Sequence, residues 1–201
     1  MSRVAIVIPA AGASRRMAGR DKLLEQVAGQ PLLRLVTDRA LSASDLVFVT
    51  LPSAQSRRAD VLRGAQVRVI EVPDASDGMA ASLRRAAHSL PGDVSGVLVL
   101  PADMPDITGA DLRKILDVFH AADCAFIVQA TGADGTPGHP VVFPADLVPA
   151  FAGLTGDRGA KAIITANRAR LVHVPLCGRR ALTDLDTPEA WDAWRSARRD
   201  R

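Results

Sequence analysis

The stretch Val4-Ala-Ile-Val-Ile-Pro-Ala-Ala-Gly-Ala-Ser-Arg-Arg-Met-Ala-Gly-Arg-Asp-Lys22 constrains this chain more than any other. It begins with an apolar, β-branched run, Val4 to Ile8, whose lack of alternation predicts a strand buried on both faces. Pro9 breaks the run, and small residues follow: Ala10, Ala11, Gly12, Ala13 and Ser14. Small side chains let another group approach the row of backbone N–H donors. Arg15, Arg16, Arg20 and Lys22 then bring positive charge. A tight turn of exposed N–H groups beside cations is suited to holding a polyanion. Stripped of Arg16 and Lys22, the same turn would read as an ordinary strand-to-helix connection with a solvated basic face. Two familiar phosphate loops are excluded: no Gly-Lys pair supplies a P-loop, and Gly12 lacks the second glycine of a dinucleotide fingerprint.

Beyond this turn, short apolar runs alternate with longer amphipathic segments. Strands are predicted at Leu46–Thr50, Gln66–Val72, Val97–Leu100 and Ala125–Ala130. Helices are predicted at Pro31–Ala43, Ser53–Arg63, Met79–Leu90 and Thr108–Ala122. This β-α-β rhythm implies an α/β fold with a parallel sheet covered on both faces. Right-handed crossovers bring the strand C-terminal ends to one edge, where ligands of such sheets sit. After Ala130 the rhythm changes. Thr131–Pro140 reads as a glycine-rich loop, Val141–Phe143 as a strand, and 146–152 and 159–167 as short helices. Leu171–Val174 reads as a strand, and Thr187-Pro188 opens a last helix carrying Trp191 and Trp194. With no repeats or linkers, a single domain spanning 1–201 is the economical reading.

Asp103, in Leu100-Pro-Ala-Asp-Met-Pro105, falls just outside an apolar strand and so faces the same crevice as the opening turn. Transfer of a phosphoryl or nucleotidyl group needs the triphosphate charge neutralised, usually by Mg²⁺ on one or two carboxylates. By itself Asp103 serves equally as a turn residue before Thr108. Asp186, in Asp184-Leu-Asp-Thr-Pro-Glu189, is a second carboxylate, and an N-cap ahead of Pro188 explains it as well.

Taken together, Pro9-Ala-Ala-Gly-Ala-Ser-Arg-Arg-Met17 with Asp21-Lys22-Leu-Leu, Leu100-Pro-Ala-Asp-Met-Pro105 and Asp184-Leu-Asp-Thr-Pro-Glu189 resemble the motifs of a nucleotidyltransferase family. They are similar to those of the molybdenum cofactor cytidylyltransferases and their guanylyl-transferring relatives. The resemblance implies a Rossmann-like three-layer sandwich with a mostly parallel sheet, of the nucleotide-diphospho-sugar transferase type. It implies Arg16, Lys22 and Asp103 as catalytic residues and Asp103 with Asp186 as Mg²⁺ ligands, Asp184 being held in reserve. It implies Ala10 to Ser14, Arg16, Lys22, Gly78, Ser82 and Asp103 as the nucleotide site, since Asp77-Gly-Met-Ala-Ala-Ser-Leu83 matches a nucleotide-framing motif. On the acceptor side it points to His139 in Gly138-His-Pro140 and to Asp157 in Gly156-Asp-Arg-Gly-Ala-Lys161. Residues 1–130 would then mainly bind nucleotide and 131–201 mainly the acceptor.

The implied substrates are an NTP, with CTP favoured by Ala10-Ala11-Gly12 over the guanylyl form, and a phosphorylated acceptor such as molybdopterin. A molybdoenzyme or maturation factor would be a fitting protein partner. Pro9 stands where leucine is commoner, which leaves the subfamily open. A guanylyltransferase, a sugar- or alditol-phosphate nucleotidyltransferase and a non-catalytic nucleotide-binding regulator are the rivals.

Composition narrows the field further. Aromatic residues are 3% and tyrosine is absent, which removes the stacking platforms of a single-stranded nucleic-acid binder. The net charge of +3 is too slight and scattered to argue for nucleic acid, and arginine supplies nearly all the basic residues, since Lys22, Lys114 and Lys161 are the only lysines. Cys124 and Cys177 lack metal-site or disulfide spacing, which suits reduced thiols and a cytoplasmic protein. No leader-like N-terminus or membrane-length apolar run is expected.

Overall fold

The opening apolar run forms the centre of the sheet. In the computed structural model, which describes residues 3–156 and 159–199, β1 spans Arg3–Pro9 and its residues Val4 to Ile8 are all buried. The side chains of Val4, Ile6 and Ile8 enter one core, and those of Ala5 and Val7 enter a second on the opposite face. Each buried Val or Ile contributes about 1.5–3 kcal/mol relative to an exposed one. Two-sided burial therefore explains why the run carries no polar alternation.

After a two-stranded ribbon, β2 (Gln26–Val27) and β3 (Gln30–Pro31), the chain enters α1 (Leu32–Leu41). It continues through β4 (Val47–Leu51), α2 (Arg57–Val61), β5 (Arg68–Glu71), α3 (Met79–Ser89), β6 (Val94–Val99) and α4 (Gly109–Ala121). The second part holds β7 (Ile127–Thr131), β8 (Pro137–Pro144), α5 (Lys161–Ala166), β9 (Leu171–Pro175) and α6 (Pro188–Arg199). The seven-stranded sheet runs β5-β4-β1-β6-β8-β7-β9. One face is covered by α1, α4 and α6, which supply Leu33, Ile115 and Trp191 to the first core. The other is covered by α3 and α5, with Leu83 and Ile163, and by Phe151 from a 3-10 segment. These are the layers of a three-layer sandwich.

The chain steps outward from β1 to β4 and β5, then crosses back to place β6 on the other side of β1. That reversal opens a crevice beyond the carboxyl ends of β1 and β6, where ligands of such sheets bind.

The sheet is mostly parallel, as expected: β8 alone pairs antiparallel, with both β6 and β7, while the other strand pairs are parallel. Three other expectations need correction. The supposed loop Thr131–Pro140 is a short turn, because β7 runs to Thr131 and β8 begins at Pro137. The segment predicted as a helix at 146–152 is a 3-10 run, Ala145–Gly153, with Pro149 inside, where proline cannot supply an α-helical donor. In addition α2 is much shorter than the predicted 53–63, and its α-helix starts only after the Ser56 cap.

Candidate active site

The two ends of β1 and β6 make one wall of a cleft of about 720 Å³. Its lining includes every residue of the opening turn from Pro9 to Arg16, together with Lys22, Gly78, Ser82, Asp103, His139, Asp184 and Asp186. All the predicted site residues among those described are thus brought together. Asp157 lies outside the described residues.

The opening turn is shaped to present donors. The N–H of Ala10 is still bound to Thr50 of β4. For Ala11 to Arg16, no backbone N–H has a hydrogen-bond partner among the described residues. Ser14 takes a left-handed conformation, φ +50°, which for a residue with a Cβ costs about 1–2 kcal/mol. Its hydroxyl donates to Asp21 Oδ1 at 3.2 Å, which helps hold it there. Asp21 also accepts from the N–H of Leu23 at 3.1 Å and so caps the 3-10 turn Lys22–Leu24 that aims Lys22 into the cleft.

Opposite this turn stand the carboxylates. Lys22 Nζ donates to Asp103 Oδ2 and to Asp186 Oδ1, each at 2.5 Å. Arg16 bonds the remaining oxygen of Asp186. Asp186 reaches Asp103 because the N–H of Leu185 donates to the Asp103 carbonyl at 3.1 Å, which stitches the late segment to the end of β6. The last helix fixes the same loop, since Trp194 Nε1 donates to Asp106 at 3.0 Å and Arg198 pairs with the same carboxylate.

The charges shape one another. Burial pushes the Lys22 ammonium down, but Asp103 and Asp186 outweigh burial and raise it above the usual lysine value. Burial pushes Asp186 up, yet Lys22 and Arg16 hold its carboxyl below the ordinary range. For Asp184 the balance reverses: burial, followed by the charges of Asp103 and Asp186, outweighs the pull of Lys22 and raises it. His139 is pushed down by burial, against a weaker opposite pull from Asp103. That direction favours the neutral imidazole while the cleft holds no anion.

The antiparallel course of β8 brings His139 here. Because Val141 pairs with Val99, residues 137–139 lie beyond the β6 terminus, beside Pro101 to Asp103. On the other side, Gly78 (φ +79°) precedes the first turn of α3, and Ser82 is buried one turn in. Helix starts leave N–H groups free for an anion.

Two carboxylates of different chain segments converge on one cation here, and hard oxygen donors of this kind suit Mg²⁺ or Mn²⁺. Among the described residues no group of three or more His, Cys, Asp or Glu side chains could hold a metal ion unaided. The donor set therefore fits a metal held by Asp103 and Asp186 together with substrate oxygens, not a closed protein cage.

Arg58 was not singled out by sequence reasoning. It lies on α2, is 5% exposed, and its guanidinium is spent on the opening turn and on Asp21. In the sequence it is one of two adjacent arginines in a polar segment, and only its eventual burial sets it apart.

A turn whose N–H groups have no partner among the described residues, a lysine-bridged pair of aspartates and a Rossmann-like sheet are the features of a nucleotidyltransferase-type site. The chain belongs to the MobA-like NTP transferase domain family, whose model matches residues 6–173. It is 27% identical over 196 residues to a probable molybdenum cofactor guanylyltransferase of Synechococcus elongatus, covering 94% of this chain and 96% of that one. It is 28% identical over 123 residues to the bifunctional protein GlmU of Novosphingobium aromaticivorans, covering 61% of this chain and 27% of that longer protein. The chain thus spans little more than a quarter of that relative. Among solved structures, Rv0371c of Mycobacterium tuberculosis superposes with a TM-score of 0.81 at 28% identity, over 98% and 97% of the two chains. The same protein is known as a manganese complex, with a TM-score of 0.77 at 26% identity over 96% and 97%. No helix among the described residues is long and apolar enough to cross a membrane.

Proposed function

We propose that this protein transfers a nucleotidyl group, CMP from CTP, to a phosphorylated acceptor such as molybdopterin, with release of pyrophosphate. The observation that carries the reading is that Ala11 to Ser14, whose N–H groups have no partner among the described residues, line the same cleft as the Lys22–Asp103–Asp186 cluster. Residues 1–130 bind mainly the nucleotide and 131–201 mainly the acceptor, although Asp186 crosses that division.

The chemistry asks little of an acid or base. A phosphate monoester has a second pKa of about 6, so the acceptor is mostly dianionic at neutral pH and attacks without help. The protein must align that oxygen with the α-phosphorus and stabilise the departing pyrophosphate. The N–H row, Gly78 and Ser82 position the nucleotide. Arg16 and Lys22 neutralise its phosphates. Asp103 and Asp186 hold Mg²⁺, which supplies charge neutralisation on the triphosphate when bound. His139 lines the acceptor side as a neutral group and offers hydrogen bonds there instead of charge.

GTP is the second reading for the nucleotide, because a full-length relative is named as a guanylyltransferase. Reduced cysteines and the substrates of the reaction suit a cytoplasmic protein that hands its product to a molybdoenzyme or maturation factor. The test is a panel of CTP, GTP, ATP and UTP with molybdopterin and Mg²⁺, with the product identified by mass. CMP addition with matching pyrophosphate release is expected. Nucleotide binding without pyrophosphate from any member, with molybdopterin or with a panel of sugar and alditol phosphates, would mean a regulator.

A further inference from the structure

We propose that Arg58 is the positioning residue that turns the N–H groups of the opening loop toward the triphosphate. The inference rests on the nucleotide-binding reading given above and adds a residue to it. All five guanidinium donors are used. Nε and one terminal nitrogen grip Asp21 bidentately at 2.7 and 2.8 Å. The same terminal nitrogen also reaches Ser14 Oγ at 3.1 Å. The other terminal nitrogen donates to the carbonyls of Ala10 at 2.5 Å and Gly12 at 2.7 Å.

Those two carbonyls decide the direction of the loop. In a trans peptide the C=O of one residue points opposite to the N–H of the next. Pulling the Ala10 and Gly12 carbonyls onto Arg58 therefore turns the N–H groups of Ala11 and Ala13 away from it, and neither has a partner among the described residues. The loop becomes a two-sided strip, with carbonyls on buried Arg58 and donors on the opposite side. Asp21 balances the guanidinium charge, so the contribution of Arg58 to anion binding is geometric and not a matter of added charge. Lysine has three donors and no planar fork, and it cannot reproduce the set.

Binding of CTP with Mg²⁺ would be measured by calorimetry for wild type, Arg58→Lys and the charge-balanced Arg58→Met/Asp21→Asn, with folding checked by circular dichroism. Both variants are expected to bind at least about tenfold more weakly, the loss of an oriented donor or two. The double variant separates the alternatives: if Arg58 acted only by charge, removing both charges would restore binding. Wild-type protein gives a test that needs no variant. On adding CTP with Mg²⁺, the amide resonances of Ala11 and Ala13 should move, while that of Ala10, bonded to Thr50, should stay. A folded Arg58→Lys or double variant with wild-type affinity, or unmoved Ala11 and Ala13 amides in nucleotide-bound protein, would overturn the assignment. Absence of any wild-type binding would instead remove the nucleotide reading, and this role with it.

Discussion

Lys22 Nζ lies 2.5 Å from Asp103 Oδ2, and the same ammonium lies 2.5 Å from Asp186 Oδ1. A lysine thus occupies the position between two carboxylates where a divalent ion would have to compete for the same oxygens. A unit charge 4 Å away is worth about 4 kcal/mol at an effective dielectric of 20. Lys22→Met should therefore bind Mn²⁺ more tightly than wild type when no nucleotide is present, by about tenfold or more. Turnover should meanwhile fall by about 10²-fold or more, since a phosphate-neutralising group is gone. Electron paramagnetic resonance titration of free Mn²⁺ reads the first effect. Weaker Mn²⁺ binding in the variant would mean that Lys22 and metal do not share these oxygens.

The Arg58–Asp21 pair carries a pH signature. Burial pushes the Asp21 carboxyl up, but hydrogen bonding and charge from Arg58 outweigh it and hold the group below its ordinary value. Its stabilisation is complete above the unfolded-state value of about 3.9 and is lost as pH falls through the lower folded value. Wild type should then lose more stability than Asp21→Asn between about pH 4 and pH 2, and the two should run parallel above about pH 5. Urea midpoints across that range test it. Parallel curves throughout would deny the pair a role in acid stability.

Gly138 lies in the cleft at the start of β8, and a Cβ built there would stand 2.0 Å from the carbonyl oxygen of Ala181. Backbone oxygen cannot rotate away, so Gly138→Ala must push apart β8 and the 3-10 turn Arg180–Leu182. Overpacking of this kind costs about 1–3 kcal/mol. Both segments line the cleft where the acceptor is proposed to bind, so the KM for acceptor should rise severalfold while the KM for NTP stays nearly constant. Equal changes in both constants would argue against an acceptor site at this position.

Much of this site was legible along the chain, and the reasons are local. Val4 to Ile8 announced a doubly buried strand because its residues fill both cores. Asp103 was legible because it follows an apolar run that fixes its place at a strand end, whereas Asp186 stood out only through its resemblance to a family motif, an N-cap explaining it as well. Arg58 was not, since its burial depends on α2 folding back over the opening turn, a relation between segments about 40 residues apart. The reversal of β8 was equally hidden. Val141 to Phe143 reads as a buried strand in either direction, and only pairing with β6 decides which end carries His139 into the cleft.

His139 offers a check on the acceptor side. Burial holds its imidazole below the usual value, with Asp103 pulling the other way. Nuclear magnetic resonance titration of the nucleotide-free protein should place its pKa below the model-peptide value of about 6.5. His139→Gln should keep NTP binding and weaken acceptor use. A pKa above that of a free histidine would make the group a cation and revive direct pairing with an acceptor phosphate.

If one cleft grips a triphosphate between the opening turn and the carboxylate at the end of β6, turnover must depend on Asp103. The most direct test is pyrophosphate release from CTP with molybdopterin and Mg²⁺, compared between wild type and Asp103→Asn. Wild type should show steady, metal-dependent release and the variant a loss of about 10²-fold or more, with thermal unfolding little changed. Undiminished release by a folded Asp103→Asn protein would contradict it.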